Sequence, residues 1–156
     1  LFPVLHDYHR QILKLFPKGD SFEIGKAKCE VMTDSMLNKD NLNLSSIVIR
    51  LEFENNSFLF MGDAETANEK TRTWMKTDVL KVGHHGSNTS SSEDFLKQIN
   101  PTYAVIMAGK NNSYGLPKQK ILDRLAKIGA KVYRTDEEGT IMMISNGNNI
   151  EVKENT

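Results

Sequence analysis

The chain has 156 residues, which is enough for one domain with a hydrophobic core of its own. Its 20 basic and 20 acidic residues cancel, so no overall charge favours nucleic acid or a membrane, and a nuclease would need a local basic patch. The single cysteine, Cys29, excludes an intrachain disulfide and a cysteine-based zinc cluster. No apolar run approaches the roughly 20 residues that span a bilayer, and no signal-peptide core is present. The first residue is Leu1 rather than methionine, so we expect a piece of something larger.

The first segment predicts an amphipathic helix over residues 6–16. Its apolar residues recur at three- and four-residue steps, the spacing of one helix face. His6 and His9 share a face of this helix at a spacing that can bind a metal ion. Because no third ligand lies nearby in the sequence, we interpret both as surface histidines.

The next segments predict mostly antiparallel strands. Residues 21–24 and 28–32 have strand composition around a glycine turn, and the polar residues 33–44 predict a loop. Residues 47–54 show the clearest alternation of the chain, with a polar side towards the far end of the strand. Two asparagines then form a hairpin turn into an apolar run, residues 57–61, which predicts a buried strand.

The second half of the chain alternates helices with apolar strands. It first predicts a helix over 65–76, a buried strand over 78–82 and a helix with serine and acidic capping residues that runs to about Ile99. A strand over 102–107 and a helix from Pro117 to Gly129 follow. The chain then predicts strands at 132–133 and 140–144 and a hairpin at Asn146-Gly147 that ends near Val152. This order predicts an α/β (α+β) fold with a mixed sheet and helices on at least one face.

Two of the apolar strands end in glycine turns that carry metal-ligand residue types. Asp63 follows the first of these strands, and His84 and His85 follow the second. Strands joined through a helix usually pair in parallel, so both turns are expected at one edge of the sheet. A carboxylate and imidazoles suit zinc or manganese. Taken singly, a helix-capping aspartate and two loop histidines are the commoner interpretation of these residues.

Several segments together resemble a known family. They are Gly19 to Gly25, Asn43 to Val48, Phe58 to Ala64, Asp78 to Ser87 with its D-V-L-K-V-G-H-H-G-S pattern, Asn112 to Pro117, and Arg134 to Ile141. These residues resemble the metallo-β-lactamase fold, specifically the C-terminal hydrolase domain of the competence DNA-uptake channel family (ComEC) and its stand-alone relatives. The resemblance runs from about Lys18 to Ile144, and it implies that residues 1–156 are a single partial domain.

The resemblance also implies a chemistry. Asp63 would bridge two divalent ions, zinc or manganese, and one of the His84–His85 pair would be a ligand, with His84 preferred for its place at the strand end. A metal-bound hydroxide would attack an ester bond, usually a phosphodiester and potentially that of DNA. Ser87, Asn112 and Tyr114 would be groups on the substrate side.

Two departures from the family pattern change what is expected of this chain. The primary metal motif, H-x-H-x-D-H, is absent, so the chain resembles the C-terminal portion of an αββα sandwich that holds part of the metal site. Leu116 stands where the family typically has histidine before the proline. We therefore expect a hydrolase half of phosphodiesterase or nuclease type that is inactive by itself.

Alternatives to this hydrolase half remain open at this stage. The chain could be a catalytically inactive binding or structural module, or a hydrolase of small esters on the same scaffold. A half sandwich would leave an apolar face exposed, so we expect a homo-oligomer or a cover supplied by the missing N-terminal half. The location would be extracytoplasmic in a competence channel and cytoplasmic in a stand-alone protein.

Overall fold

A computed structural model describes residues 18–33 and 38–154. In these residues, a mixed sheet and a separate hairpin are formed by the strands β1 (Ser21–Ile24), β2 (Ala27–Val31), β3 (Ile49–Phe53), β4 (Asn56–Phe60), β5 (Val79–Lys81), β6 (Tyr103–Ile106), β7 (Lys131–Arg134), β8 (Ile141–Ser145) and β9 (Ile150–Glu154). The helices are α1 (Thr66–Glu69), α2 (Glu93–Ile99), α3 (Gln119–Lys127) and α4 (Thr135–Glu138), with 3-10 turns at Leu42–Ser45 and Gly83–Gly86. The predicted helix over 6–16, with His6 and His9, lies outside the described residues.

The sheet follows chain order from β1 to β7. The pairs β1–β2, β2–β3 and β3–β4 are antiparallel, and the pairs β4–β5, β5–β6 and β6–β7 are parallel. Each parallel connection carries a helix, as a crossover between parallel strands requires. The predicted mixed sheet with flanking helices is confirmed. No helix in the described ranges is long and apolar enough to cross a membrane.

The segment after the first glycine turn differs from the predicted helix over residues 65–76. Within it, α1 is a single turn. The Thr71 hydroxyl donates to the carbonyl of Asn68 at 2.7 Å, a local bond that competes with helix continuation. Farther on, the backbone N–H of Trp74 donates to Gln98 Oε1 at 2.9 Å. The chain therefore leaves the helix to reach α2, and this tertiary contact overrides the local helical pattern.

Helices α2 and α3 end as the sequence predicts. The Ser92 side chain caps α2 by accepting from the backbone N–H of Phe95. At the end of α3, Gly129 has a φ of +74°, and its N–H bonds to the carbonyl of Ala126 while the next N–H bonds to Leu125. This pair of bonds is the Schellman arrangement that favours glycine. The prediction that α3 begins at Pro117 is wrong by two residues, because Lys118 is the cap residue and the helix begins at Gln119.

The core lies between the sheet and the helices. It contains these buried side chains from both layers: Val48, Leu59, Met61, Leu80, Val82, Phe95, Leu96, Ile99, Ile106, Ile121 and Leu125. Directly paired residues share a face of a sheet, and Arg50 pairs with Leu59. Arg50 therefore faces the helices and is buried, although the alternation placed it on the polar side of its strand.

The opposite face of the sheet is apolar but partly open. Phe60 is 42% exposed, whereas its neighbours Leu59 and Met61 are buried, so the strands predicted to be buried are covered on one face. The β8–β9 hairpin lies against this face and leaves a cavity of about 240 Å³ lined by Phe58, Phe60, Lys81, Val105, Ile141 and Met143. The expectation that another part of the protein or a second copy covers such a face stays a prediction.

The Arg50 guanidinium holds β3 to the segment before β5. It donates to the carbonyl of Lys76 at 3.1 Å and to the Thr77 hydroxyl at 2.8 Å. Arg50→Ala should lower the free energy of unfolding by about 2–4 kcal/mol, because buried acceptors lose their donor. Urea denaturation followed by circular dichroism measures the change.

The control for Arg50→Ala is Glu52→Gln. Glu52 pairs with Arg50 at 2.9 Å, but its side chain is 51% exposed. Its loss should change the free energy of unfolding by less than about 0.5 kcal/mol. Equal losses in the two variants would contradict the buried role of Arg50.

Candidate metal centre

The parallel pair β4–β5 brings the two glycine turns together, as the strand order predicts. Phe60 pairs with Lys81 at the last step of the ladder, so both strands end at the same edge of the sheet. Asp63 Oδ1 then lies 3.3 Å from His85 Nε2, and both side chains are nearly half exposed. A carboxylate and an imidazole therefore meet at an accessible edge.

The histidine turn has an unusual backbone. His84 and His85 have φ values of +46° and +53°, in the left-handed region that residues other than glycine seldom adopt. The flanking glycines are needed for space, because a Cβ at Gly83 would lie 2.8 Å from the Ala64 carbonyl and one at Gly86 would lie 2.7 Å from Pro117. Strained residues of this kind persist where neighbours over-determine them, and they cluster at functional sites.

The hydrogen bonds of His85 determine its tautomer. Its Nδ1 lies 2.6 Å from the carbonyl of Met107, and a carbonyl can only accept, so Nδ1 carries the proton. In the neutral ring, Nε2 then presents its lone pair towards Asp63. Orientation of a ligand histidine by a bond from its other nitrogen is typical of metal sites.

His84 belongs to a different cluster. Its Nδ1 lies 3.1 Å from the Thr89 hydroxyl and 3.4 Å from Glu65 Oε1, and its Nε2 lies 3.5 Å from the Asn43 amide nitrogen. That amide also donates to Glu65 Oε1 at 3.2 Å, so the nitrogen is the donor towards His84. Both imidazole nitrogens therefore face protein partners. His85 rather than His84 therefore lies against Asp63, and which of the two histidines binds a metal ion stays a prediction.

Glu65 is the centre of this second cluster, and the sequence prediction treated it as an ordinary helix residue. Burial by itself raises the pKa of the Glu65 carboxyl. Hydrogen bonds from Asn43, Asn41 and Thr89, together with His84, outweigh burial and hold that pKa below its usual value. Asn43 lies in one of the segments that resemble the family, and that resemblance is the feature of the sequence that could have drawn attention to this cluster.

Lys81 forms a hydrogen bond to the backbone of the turn that carries Asp63. Its ammonium donates to the carbonyl of Gly62 at 2.8 Å. Burial lowers the pKa of this ammonium, and the nearby Asp63 carboxylate opposes that change. Lys81 thus fixes the backbone next to Asp63 and places a positive charge beside it.

The three residues predicted on the substrate side have different surroundings. The Ser87 hydroxyl lies 3.2 Å from that of Thr89. The Asn112 amide bonds three times within its own loop, to the Gly109 carbonyl and to both backbone groups of Leu116. Tyr114 is 77% exposed. The structure places Asn112 and Tyr114 beside His85 around one cavity, with Asn112 in a structural role.

The described residues do not include a cluster of three or more histidine, cysteine, aspartate or glutamate side chains that could hold a metal ion. The geometry of the Asp63–His85 pair nevertheless fits two ligands of one metal ion. Its two donor atoms are 3.3 Å apart, within reach of one ion whose bonds to oxygen and nitrogen are about 2.0–2.2 Å long. The pair can therefore supply two ligands of a larger set.

The mixed sheet with flanking helices is consistent with a metallo-β-lactamase-like fold, and sequence comparison agrees. Residues 10–110 match the family model described as the metallo-beta-lactamase superfamily. The chain belongs to this superfamily.

Particular relatives point to competence proteins. The chain is 39% identical over 128 residues to ComE operon protein 3 of Bacillus subtilis, covering 80% of this chain and 16% of that protein. It is 42% identical over 101 residues to Recombination protein 2 of Haemophilus influenzae, a match that covers 64% of this chain and 13% of that protein. It is also 36% identical over 104 residues to Competence protein ComA of Neisseria gonorrhoeae, a match that covers 64% of this chain and 15% of that protein. The chain therefore spans 13–16% of the length of these relatives. The predicted family resemblance is confirmed.

The lowered pKa of Glu65 predicts a stability that depends on pH. The ionised carboxylate stabilises the folded chain fully above the usual glutamate pKa, and this contribution disappears as pH falls through the lower folded pKa. Denaturant unfolding of the wild type and of Glu65→Gln between pH 7 and pH 3 should show a difference that shrinks towards acid.

Thr89→Val provides the comparison for this measurement. It removes one donor to Glu65, a bond of 3.1 Å, and should raise the pH at which stability is lost. A difference between the wild type and Glu65→Gln that stays constant over the whole pH range would contradict the role given to the cluster.

Proposed function

We propose that this chain is the second half of a metal-dependent phosphodiesterase or nuclease domain, with Asp63 and His85 among its metal ligands. One observation carries the proposal: His85 Nε2 lies 3.3 Å from Asp63 Oδ1 at an exposed edge of the sheet. Without a proton or a cation between them, these two atoms would repel each other. Membership of the superfamily and similarity to competence proteins support metal-dependent hydrolysis of a nucleic acid backbone.

The chain's own residues would orient the site. The Met107 carbonyl holds the His85 ring so that Nε2 faces Asp63. Lys81 and the Ser46 hydroxyl hold the aspartate turn, the latter through a 3.2 Å bond from the Asp63 backbone N–H. When bound, a zinc or manganese ion would lower the pKa of a water molecule and neutralise charge developing on the phosphoryl oxygens.

The number of ligands suggests how the site is completed. A catalytic zinc site uses at least three protein ligands, and the described residues bring two together. In the proposed domain, the others come from elsewhere in a longer protein or from a second chain. A module that binds without hydrolysis is the second candidate, and the same ligand count favours it for this chain alone.

Metal affinity tests the choice of ligands. Calorimetric titration with zinc should show weak binding by the wild type, and Asp63→Ala and His85→Ala should each weaken it by at least about 10-fold. His84→Ala is the matched control, because it removes the same ring one residue earlier and should have the smaller effect. Affinity that is unchanged in Asp63→Ala would refute the convergent site.

Turnover tests the incompleteness of the site. The purified chain with zinc or manganese should hydrolyse bis(p-nitrophenyl) phosphate no faster than the blank, because two ligands leave the ion poorly held. Tight stoichiometric metal binding together with robust turnover would show instead that this chain holds a complete site.

A further inference from the structure

A small cavity lies beside the candidate metal centre. It has a volume of about 230 Å³ and is lined by His85, Ala108, Gly109, Asn112, Tyr114 and Leu116. Pockets that enclose a drug-sized ligand usually measure about 300–1,000 Å³, so this cavity suits a single ring system. His85 belongs to both the cavity and the Asp63 pair, so a group in the cavity lies next to the proposed site of hydrolysis.

Several polar groups of the lining are already used within the protein. The Asn112 amide bonds to its own loop, Nδ1 of His85 bonds to Met107, and the backbone N–H of Ala108 donates to the Thr135 hydroxyl at 2.9 Å. Arginine, lysine and acidic side chains do not line the cavity. A phosphate group would find little to pair with here, whereas a flat uncharged ring would contact the Leu116 side chain and the Tyr114 ring.

The loop that forms the cavity carries a local positive charge. Residues 107–122 contain Lys110, Lys118 and Lys120 and no acidic residue, in a chain whose net charge is zero. Lys110 and Lys120 are exposed, and the Lys118 ammonium donates to the Tyr114 carbonyl at 2.7 Å. This segment thus carries three lysines close in sequence to an exposed aromatic ring, and such charges attract the phosphates of a nucleic acid strand.

We propose that the cavity is a base subsite for single-stranded nucleic acid, in which a nucleobase stacks on Tyr114 beside the phosphodiester bond to be cleaved. The inference rests on the proposed function and names its substrate as a single strand. Stacking on an aromatic ring with lysines along the backbone is how such strands are bound without sequence preference. A base paired within a duplex would have to leave its stack to reach the cavity.

Fluorescence anisotropy with a fluorescein-labelled oligothymidylate tests the subsite in buffer containing EDTA, so that binding is measured without divalent ions. The wild-type chain should bind the strand. Tyr114→Ala should weaken binding roughly 5- to 150-fold, the range measured for loss of one base–aromatic stack, and Tyr114→Phe should retain it. Tyr114 is 77% exposed, so both variants should fold, which circular dichroism verifies.

An abasic strand of the same length separates stacking from charge. The wild type should bind it more weakly than oligothymidylate, and Tyr114→Ala should cause no further loss on it. Lys110→Gln should reduce the slope of log K against log salt by about 0.7 if it contacts one phosphate. Lys26→Gln, an exposed lysine in the β1–β2 turn at the other edge of the sheet, should leave the slope unchanged.

Four results would overturn the base subsite: no binding of the single strand by the wild type, no loss in Tyr114→Ala, the same loss on the abasic strand, or tighter binding of a duplex. Because EDTA removes divalent ions, these results are independent of whether Asp63 and His85 bind metal. Failure of the zinc titration with normal stacking on Tyr114 would overturn the metal centre alone.

Discussion

The carbonyl of Gly62 is the point on which the site depends. It accepts hydrogen bonds from the backbone N–H of His84 at 3.1 Å and from the Lys81 ammonium at 2.8 Å. These bonds join the turn after β4 to the strand and turn of β5, and the parallel register of the two strands sets their position. A slip of one residue in that register would turn every side chain to the other face of the sheet and separate Asp63 from His85.

Adjacent residues take different roles because their backbone is constrained. The left-handed conformation of His84 and His85, held between two glycines, sends one imidazole to Glu65 and the other to Asp63. The first imidazole is enclosed by the Asn43 and Thr89 side chains, and the second lies against Asp63 at an open edge. The two adjacent imidazoles therefore lie against different carboxylates.

The sheet has one covered and one partly open apolar face. Helices fill the first with a continuous core, and the second carries Phe58 and Phe60 beneath a single hairpin. Domains are usually built from layers that cover each other's apolar faces. The chain spans 13–16% of the length of its competence relatives.

The local sequence predicted most of the strands, the N-cap of α2, the glycine that ends α3 and the meeting of the two glycine turns, because these follow from short-range patterns and the handedness of strand crossovers. It did not predict the single turn of α1, which ends where Trp74 reaches Gln98. Nor did the alternation along β3 reveal that Arg50 faces the core, since its partners lie 26 and 27 residues away.

For the candidate site, the sequence by itself determined which residue types stand at the strand ends, and the family to which they belong. Only the tertiary structure decided that His85 rather than His84 meets Asp63, and that Glu65 gathers donors from segments 22 to 24 residues away. The physical reason is that a hydrogen bond depends on where its two groups lie in space. Neighbours in the sequence share a turn, but the strands that surround that turn determine which partner each side chain reaches.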